Sequence, residues 1–395
     1  MAQPAKTKSA RKAKVEEPRQ TRKQLSLGRK EARQKRIVWL AVGALAALIL
    51  AILAAGILSE LVIKPAQPVV KVNGAKATYA EFSELLTYRR YSLHSAIGSI
   101  QEVIDSLGAA EDETTSFLLS YYQQQLGQYQ AELGLSPQAV ADELVEDLLV
   151  QEKAQELGLT VTQQEITAYI HDDIQQGIAQ QAMQAQTSIT DTTLIPTPTP
   201  LAQADVDRIL DNYYAAMGLS ADQFARVVGR GLLREKVQEY LADQVPATGL
   251  VIHVELIKTE TEEQATAAQA RIEGGEEFAL VAREVSTDTL SAEDGGDLGW
   301  LAATQLQARY GKEVEDAAFG AAAGELVQVE GNGSFYLLRV RERDENGPLP
   351  EAVLNPKKSS ALNDWLAERK LDPAVTIERY LDKIDVPPDP FTTAF

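Results

Sequence analysis

The uncharged run from Ile37 to Leu58 constrains this chain more than any other feature of its sequence. Its 22 residues would form a helix about 33 Å long, which is enough to cross the hydrocarbon core of a bilayer. The run is longer than the apolar part of a cleaved signal peptide, and it meets polar residues only at Ser59 and Glu60. We therefore expect an uncleaved transmembrane helix over residues 37–59, with cleavage after one of residues 54–56 as the alternative.

The 36 residues before this run form a basic tail. They carry 13 Lys and Arg against three Asp and Glu, which gives the tail a charge of +10. Since the net charge of the whole chain is −19, the remaining residues carry −29. Basic residues beside a membrane span stay in the cytoplasm, so we expect residues 1–36 inside and the chain beyond about residue 64 outside. Binding of anionic lipid or nucleic acid by the tail is the alternative, although the tail contains no aromatic residue.

The cysteine and histidine content excludes several classes of protein. With no cysteine, the chain has no disulfide framework, no thiolate metal site and no cysteine nucleophile. Its three histidines leave little material for an imidazole zinc site. We expect neither a cofactor nor a metal. The acidic outer region also opposes binding to nucleic acid or to acidic clients.

Caps and apolar stripes predict a largely helical domain over residues 65–246. It opens with a strand at Val69–Val72, a tight turn at Asn73-Gly74, and a helix that begins at the capping box of Thr78 and Glu81.

Two further signals within this domain concern the limits of its helices. Ser136 followed by Pro137 predicts the start of a helix, with the serine as its cap. The Gln- and Thr-rich stretch from about 172 to 200 predicts a loop or insertion, which ends in a proline/threonine repeat near 192–200.

The pattern changes at Gly249, from helical stripes to mixed strands and helices. A β-rich run over Val251–Ile257 precedes two helices, the sequence Gly-Gly-Asp-Leu-Gly-Trp ending at Trp300, another helix over Glu313–Phe319, and two final strands. The predicted order is β-α-α-β-α-β-β. A final segment, 347–395, contains one helix and an extended, proline-rich tail.

The sequences GEEFALVAREVSTDTLSAEDGGDLGW, VEDAAFGAAAGELV and FYLLRV carry a family resemblance. In this order and spacing, residues 249–343 resemble the parvulin family of peptidyl-prolyl cis-trans isomerases. The flanking segments look like the helical chaperone regions of membrane-anchored PrsA-like foldases and SurA-like chaperones. The resemblance implies an α+β protein, in which a parvulin-like domain is inserted into a helical domain built from 65–246 and the C-terminal segment.

The resemblance also implies an apolar pocket for the prolyl ring. It places Leu306 at the family's methionine position and Phe319 at the last phenylalanine position. Four extra residues precede Glu315, so Val314 or Tyr310 stands in for the middle phenylalanine. All four side chains would also suit an ordinary hydrophobic core.

The polar part of the family's site is altered here. Asp288 matches the family's cysteine or aspartate position, and it would also suit a turn cap. Val254 stands where the first family histidine is expected, and Tyr336 stands at the second. His253 is one residue early, so it would face the other side of the strand unless a bulge or a slipped register brings it to the site.

These residues leave several functions open. The first is a prolyl isomerase in which Asp288, Tyr336 and His253 assist catalysis. The second is a parvulin-fold binding module that holds unfolded chains without catalysis, which the valine at position 254 favours. A purely structural membrane scaffold is the third. For the first two, the expected partners are newly secreted or unfolded polypeptides with X-Pro segments, and the sequence leaves open whether the chain forms a homodimer.

Overall fold

The structure is a computed structural model that describes residues 22–108, 112–186 and 202–392. Its contacts divide the chain into two units, residues 1–67 and 68–395. The basic tail up to residue 21 and the proline/threonine repeat near 192–200 lie outside the described residues.

The first unit contains one long helix, α1 (Arg22–Leu58), which continues as a π-helical turn over Ser59–Ile63. Its segment Trp39–Ile63 is long and apolar enough to cross a membrane, with a mean hydropathy of 2.7 and no buried residues. The helix begins within the segment that the sequence assigned to the basic tail. Residues 22–36 are rich in Arg, Lys, Gln, Glu and Ala and contain no proline, so they favour helix as well.

A three-stranded sheet joins the two ends of the second unit. Its strands are β1 (Pro68–Val72), β2 (Ala75–Thr78) and β7 (Ile377–Arg379), in the order β2-β1-β7, and both pairs are antiparallel. Asn73 and Gly74 both have positive φ, which suits the turn of a hairpin. The turn is followed by β2, which the sequence did not predict, and the helix α2 then begins after Thr78, whose predicted capping box with Glu81 is present.

Six helices of the second unit lie outside the parvulin-like region and form its helical elements. They are α2 (Tyr79–Leu107), α3 (Glu113–Leu157), α4 (Gln163–Gln186), α5 (Gln203–Met217), α6 (Ala221–Gln244) and α11 (Glu351–Leu371). Their main core joins β1 and β2 to α2, α3, α6 and α11, and it is centred on buried Val, Leu and Phe side chains. α11 packs against α6, so the segment after the parvulin-like region returns to the helical elements that precede it.

Two expectations about helix limits were wrong. Ser136 does not begin a helix, because α3 runs through Pro137 without a break and Ser136 is fully buried within it. Packing of α3 against α2 outweighs the local breaker signal. The stretch after residue 172 is also helical as far as Gln186. Isoleucines recur every four residues along α4, and this apolar stripe can support a helix despite the polar composition.

The parvulin-like region contains a four-stranded antiparallel sheet in the order β4-β3-β6-β5. Its elements are β3 (Thr248–Thr259), α7 (Glu262–Glu273), α8 (Phe278–Val285), β4 (Asp297–Ala302), α9 (Gln307–Tyr310), α10 (Lys312–Gly320), β5 (Leu326–Gly331) and β6 (Ser334–Pro348). The predicted order is observed with the short α9 added. With the helical elements, this sheet confirms the α+β class.

The two faces of this sheet pack against different helices. Val254, Leu256 and Leu338 point to the face covered by α9 and α10. Ile257 and Leu337 point to the other face, where α7 and α8 lie. The register of each residue in the central strands therefore decides whether its side chain faces α9 and α10 or faces α7 and α8.

Substitutions in α11 should show that this late helix belongs to the main core. Leu366 is buried in that core, whereas Leu371 on the same helix is exposed. Leu366→Ala should lower the free energy of unfolding by about 2–5 kcal/mol, as expected for a leucine removed from a packed core. Leu371→Ala, the matched control, should change it by less than about 0.5 kcal/mol. Equal values for the two variants in urea unfolding would contradict the packing described for α11.

Candidate functional site

The Gly-Gly-Asp-Leu-Gly-Trp sequence fixes the loop that carries Asp288. Gly296 has a φ of +82°, and a Cβ there would lie 2.5 Å from the carbonyl oxygen of Leu256. Its own carbonyl accepts a hydrogen bond from the Leu256 N–H at 2.8 Å, and its N–H donates to the Ser291 carbonyl at 2.7 Å. Only glycine permits this close approach of the loop to β3. The loop from Asp288 to Ser291 is thereby held against the sheet.

Asp288 is the polar centre of a buried cluster. Its Oδ2 accepts hydrogen bonds from Ser291 Oγ at 2.5 Å and from the Tyr310 hydroxyl at 3.1 Å. The ring of Tyr310 packs edge-on against that of Tyr336, with 5.7 Å between centroids. Burial, reinforced by the Asp288 carboxylate, raises the pKa of Tyr310 to about 12, so this tyrosine is a hydrogen-bond donor at neutral pH.

The apolar candidates surround this polar centre on the α9/α10 face of the sheet. Leu306, Val314 and Val254 are buried in one cluster with both tyrosines, and Phe319 is partly buried at its edge. Tyr310 is only 3% exposed and Tyr336 only 1%. The side chains that the resemblance assigns to the prolyl-ring pocket are therefore buried against one another, and Tyr310 is the bulkiest contributor from the extra residues before α10.

His253 lies on the opposite face of the sheet. Its Nε2 is 2.7 Å from Asp297 Oδ1, and its ring lies 5.6 Å from that of Trp300. A bulge does follow His253 in the pairing with β6, but it leaves Val254 in the buried cluster and His253 outside it. Burial opposes ionisation of Asp297, yet hydrogen bonds from the Gly299 N–H and from His253 hold the pKa of this carboxyl below its usual value.

The His253 side of the sheet carries an ion-pair network. Arg339 is bonded to the buried Glu255 at 2.5 Å, and Arg341 lies 3.7 Å from Asp297. The guanidinium of Arg339 also lies 4.8 Å from the ring centre of Phe278 on α8. These contacts give His253 a structural environment distinct from that of Asp288.

The helical elements enclose a cavity of about 490 Å³ with an aromatic and apolar lining. Its wall includes Tyr88, Tyr169, Ile174, Ile178, Tyr213 and Phe224. Tyr88 and Tyr213 each pack against Phe224, with ring centroids 5.9 and 5.6 Å apart. An opening of this size and chemistry suits one or two apolar or aromatic side chains of a bound peptide.

A second cavity of about 290 Å³, lined by more charged residues, shares part of this lining. Asp147, Arg230 and Arg234 face it. Among the described residues, one guanidinium nitrogen of each arginine is buried without a hydrogen-bond partner. Burial raises the pKa of Asp147 to about 6, although the charge of Arg230 opposes this shift.

The comparisons with known proteins agree with the sequence motifs. A family model described as the PPIC-type PPIase domain matches residues 233–344. The chain carries a PPIC-type PPIase domain. The match begins inside α6 and ends within β6, so it covers the four-stranded sheet and its helices.

Curated relatives are similar to part of this chain. The foldase protein PrsA of Oceanobacillus iheyensis is 33% identical over 137 residues, which cover 32% of this chain and 44% of that protein. PrsA of Geobacillus kaustophilus is 25% identical over 206 residues, covering 46% and 66%. The periplasmic chaperone PpiD of Haemophilus ducreyi is 31% identical over 114 residues, covering 29% and 18%. This chain thus spans less than two thirds of the length of each of these three relatives.

Among solved structures, PrsA from Bacillus cereus aligns over 65% of this chain and 82% of its own, with 19% identity and a TM-score of 0.31.

The structure brings together most of the residues singled out from the PPIC-type motifs. Asp288, Tyr336, Leu306, Val314 and Tyr310 lie in one cluster with Phe319 at its edge, and His253 does not join them. Their catalytic and binding roles stay predictions. Among the described residues, no three His, Asp or Glu side chains converge as metal ligands would.

Sequence reasoning missed the aromatic cavity. Its signal was present in the isoleucines at positions 170, 174 and 178, which line one side of α4. The polar residues between them concealed this stripe, because the composition of the stretch as a whole suggested a loop.

The raised pKa of Asp147 predicts a pH-dependent stability. A carboxyl with a folded pKa near 6 stabilises the fold only when protonated, and this contribution is lost as the pH rises through 6. Asp147→Asn should therefore raise the free energy of unfolding by about 3 kcal/mol at pH 8, since the pKa of Asp147 is raised by about two units and one unit corresponds to about 1.4 kcal/mol.

This gain should shrink as the pH is lowered through 6 and disappear below about pH 3, where the wild-type carboxyl is neutral in both the folded and the unfolded state. The control Asp172→Asn changes an exposed carboxyl and should show no such trend. A gain that does not depend on pH in chemical unfolding would contradict the burial of an ionisable Asp147.

Proposed function

We propose that this protein is a membrane-anchored extracytoplasmic foldase. In this proposal the aromatic cavity of the helical elements holds unfolded segments, and the PPIC-type domain isomerises X-Pro bonds weakly. The observation that carries it is the combination, in one chain, of a PPIC-type domain with an open aromatic cavity outside that domain. The relatives are themselves named as foldases and as a periplasmic chaperone.

The proposed location follows from charge and hydropathy. The apolar segment Trp39–Ile63 serves as the anchor, and the +10 tail before it stays in the cytoplasm by the positive-inside rule. The remainder, with its charge of −29, then lies outside, where secreted chains emerge unfolded. Their X-Pro bonds isomerise in about 10–100 s without help, so an attached isomerase would meet its substrate there.

Client binding is assigned to the cavity because of its side chains. Tyrosine rings offer large apolar contact area, and their hydroxyls can pair with the backbone of an extended peptide. Unfolded chains expose aromatic and aliphatic residues that folded proteins bury, so a cavity with this lining distinguishes the two states. The charged cavity beside it, around Arg230 and Asp147, would meet polar groups of the same peptide.

Weak catalysis is proposed from the state of the PPIC-type cluster. The barrier to X-Pro rotation is about 20 kcal/mol, and an isomerase lowers it by holding the ring in an apolar pocket and stabilising a twisted amide. Here Asp288 is engaged by Ser291 and Tyr310, and the apolar side chains around it are closed upon one another. A substrate must displace Tyr310 before it reaches this cluster.

A binding module without catalysis is the second candidate. The same closed cluster favours it, together with valine and tyrosine at the two positions where the resemblance expects histidines. The two candidates differ only in the PPIC-type domain and make opposite predictions for its activity.

Charge placed in the aromatic cavity should abolish client holding. Ile178 is half-buried in the cavity wall, so Ile178→Asp adds charge at a small cost in core packing. This variant should lose most of the ability to slow aggregation of a chemically unfolded protein, measured by light scattering with the full chain in nanodiscs. The control Leu290→Asp makes the same change at a leucine that is 63% exposed on the PPIC-type domain. Loss of holding in the control alone would assign client binding to the PPIC-type domain instead.

Histidines introduced into the cluster should raise isomerase activity. Polar assistance in a catalytic site is commonly worth about 10²-fold or more. We expect Val254→His with Tyr336→His to increase turnover of a proline peptide at least tenfold over the wild type, measured by NMR exchange. Gln328→His adds an imidazole on the other face of the sheet and should have no effect.

The same assay separates the two candidates and tests His253. Activity above background in the wild type supports the isomerase, whereas its absence in both the wild type and a folded double variant supports the binding module. His253→Ala should leave turnover within about twofold, since this side chain is bonded to Asp297 on the far face. Abolition by His253→Ala would mean that His253 reaches the substrate.

A further inference from the structure

The C-terminal segment Val386–Phe391 crosses helix α2 and is held there by three different contacts. Arg90 Nη1 donates a hydrogen bond to the Pro387 carbonyl at 2.8 Å. His94 Nε2 lies 2.9 Å from Asp389 Oδ2 and shares a hydrogen bond with it. The third contact is apolar, because the Phe391 side chain is only 5% exposed. A backbone carbonyl, a carboxylate and an aromatic ring are thus recognised by side chains of one helix.

The segment has the character of a short linear peptide. Prolines at positions 387, 388 and 390 restrict its backbone before binding, which lowers the entropy lost on docking. The Phe391 N–H donates to Asp389 Oδ1 at 2.9 Å, so the aspartate, proline and phenylalanine form one compact turn. The carboxylate and the ring therefore reach α2 together.

Phe391 is connected to the aromatic cavity through a series of rings. It packs edge-on against Tyr91 with 5.6 Å between centroids, and Tyr91 packs against Tyr213 at 5.5 Å. Tyr213 and Phe224 then form the cavity wall. The place occupied by Phe391 is separated from the cavity lining by the single ring of Tyr91.

We propose that Arg90, Tyr91 and His94 form a peptide-binding cradle for Asp-Pro-aromatic segments, which the chain's own C-terminal segment occupies until a client segment of that chemistry displaces it. This inference rests on the proposed function, because it assumes that clients bind the helical elements. When the segment leaves, the cradle and the aromatic cavity form one longer groove. The bound tail thus shows which peptide chemistry one end of that groove accepts.

The tethered tail competes strongly with any client. A segment attached to the same chain acts at an effective concentration of about millimolar or more, so only clients that also fill the cavity can displace it efficiently. Substitutions that weaken the tail should consequently strengthen binding in trans. The double variant Asp389→Asn with Phe391→Ala removes the ring contact and the carboxylate charge that faces His94, and it leaves Arg90, Tyr91 and His94 intact.

The test uses the full chain in nanodiscs and a labelled peptide of sequence VPPDPF, which copies residues 386–391. Fluorescence anisotropy should show that this peptide binds the double variant at least tenfold more tightly than it binds the wild type. The control, Asp385→Asn with Thr392→Ala, changes two exposed residues of the same tail and should behave as the wild type. A peptide of sequence VPPAPA should not bind the double variant.

A folded double variant that fails to bind VPPDPF would overturn the inference. If the double variant does not fold, hydrogen exchange measured on the wild type tests the inference instead. A saturating amount of reduced, carboxymethylated lactalbumin should increase the exchange rate of the Phe391 amide at least threefold, and an unchanged rate would overturn the inference.

The same unfolded protein separates this inference from the proposed function. If it binds the wild type, and the folded double variant binds it no more tightly, the tail is only a structural anchor and this inference fails alone. If VPPDPF binds the double variant while the unfolded protein binds neither form, the cradle stands and the proposed client binding fails.

Discussion

The pairing of β1 with β7 is the interaction on which the rest of the second unit depends. These strands lie near the two ends of that unit, and Val70, Lys71 and Val72 of β1 pair with the three residues of β7. Closing so long a loop costs chain entropy that a three-residue strand cannot offset by itself. The buried packing of α11 on α6 and α3 supplies the rest of the stabilisation that offsets this entropy loss. Because α11 and β7 follow the PPIC-type domain in the chain, the helical elements can reach their final form only after that domain has been synthesised.

This arrangement separates two chemical environments that the foldase proposal assigns to different tasks. The PPIC-type cluster is buried and its aspartate is satisfied internally by Ser291 and Tyr310, so it resembles a core that contains a hydrogen-bonded carboxylate. The cavity of the helical elements is open and lined by rings, of which Phe224 contacts three tyrosines. An unfolded client can therefore reach apolar side chains in the cavity of the helical elements, whereas those of the PPIC-type cluster are buried.

Much of the PPIC-type domain could be predicted from sequence, because its determinants are local. Gly296 must be glycine for steric reasons, and strand alternation alone assigns Val254 and His253 to opposite faces. The helical elements were harder, because tertiary contacts decided their limits. Pro137 lies inside a helix that packing maintains, and the end of α4 depends on a stripe of isoleucines hidden among glutamines. The burial of Tyr310 inside the cluster could not be predicted either. Tyr310 lies near the four extra residues before Glu315, where this chain departs from the family pattern.

The central claim is that clients are held mainly by the helical elements, and only weakly by the PPIC-type cluster. Site-specific photo-crosslinking measures this most directly, with a benzoylphenylalanine placed at Ile174 in the cavity wall or at Leu290 on the PPIC-type domain. With an unfolded client and the full chain in nanodiscs, the account predicts a cross-linking yield at Ile174 several times that at Leu290. Cross-links from Leu290 alone would contradict it.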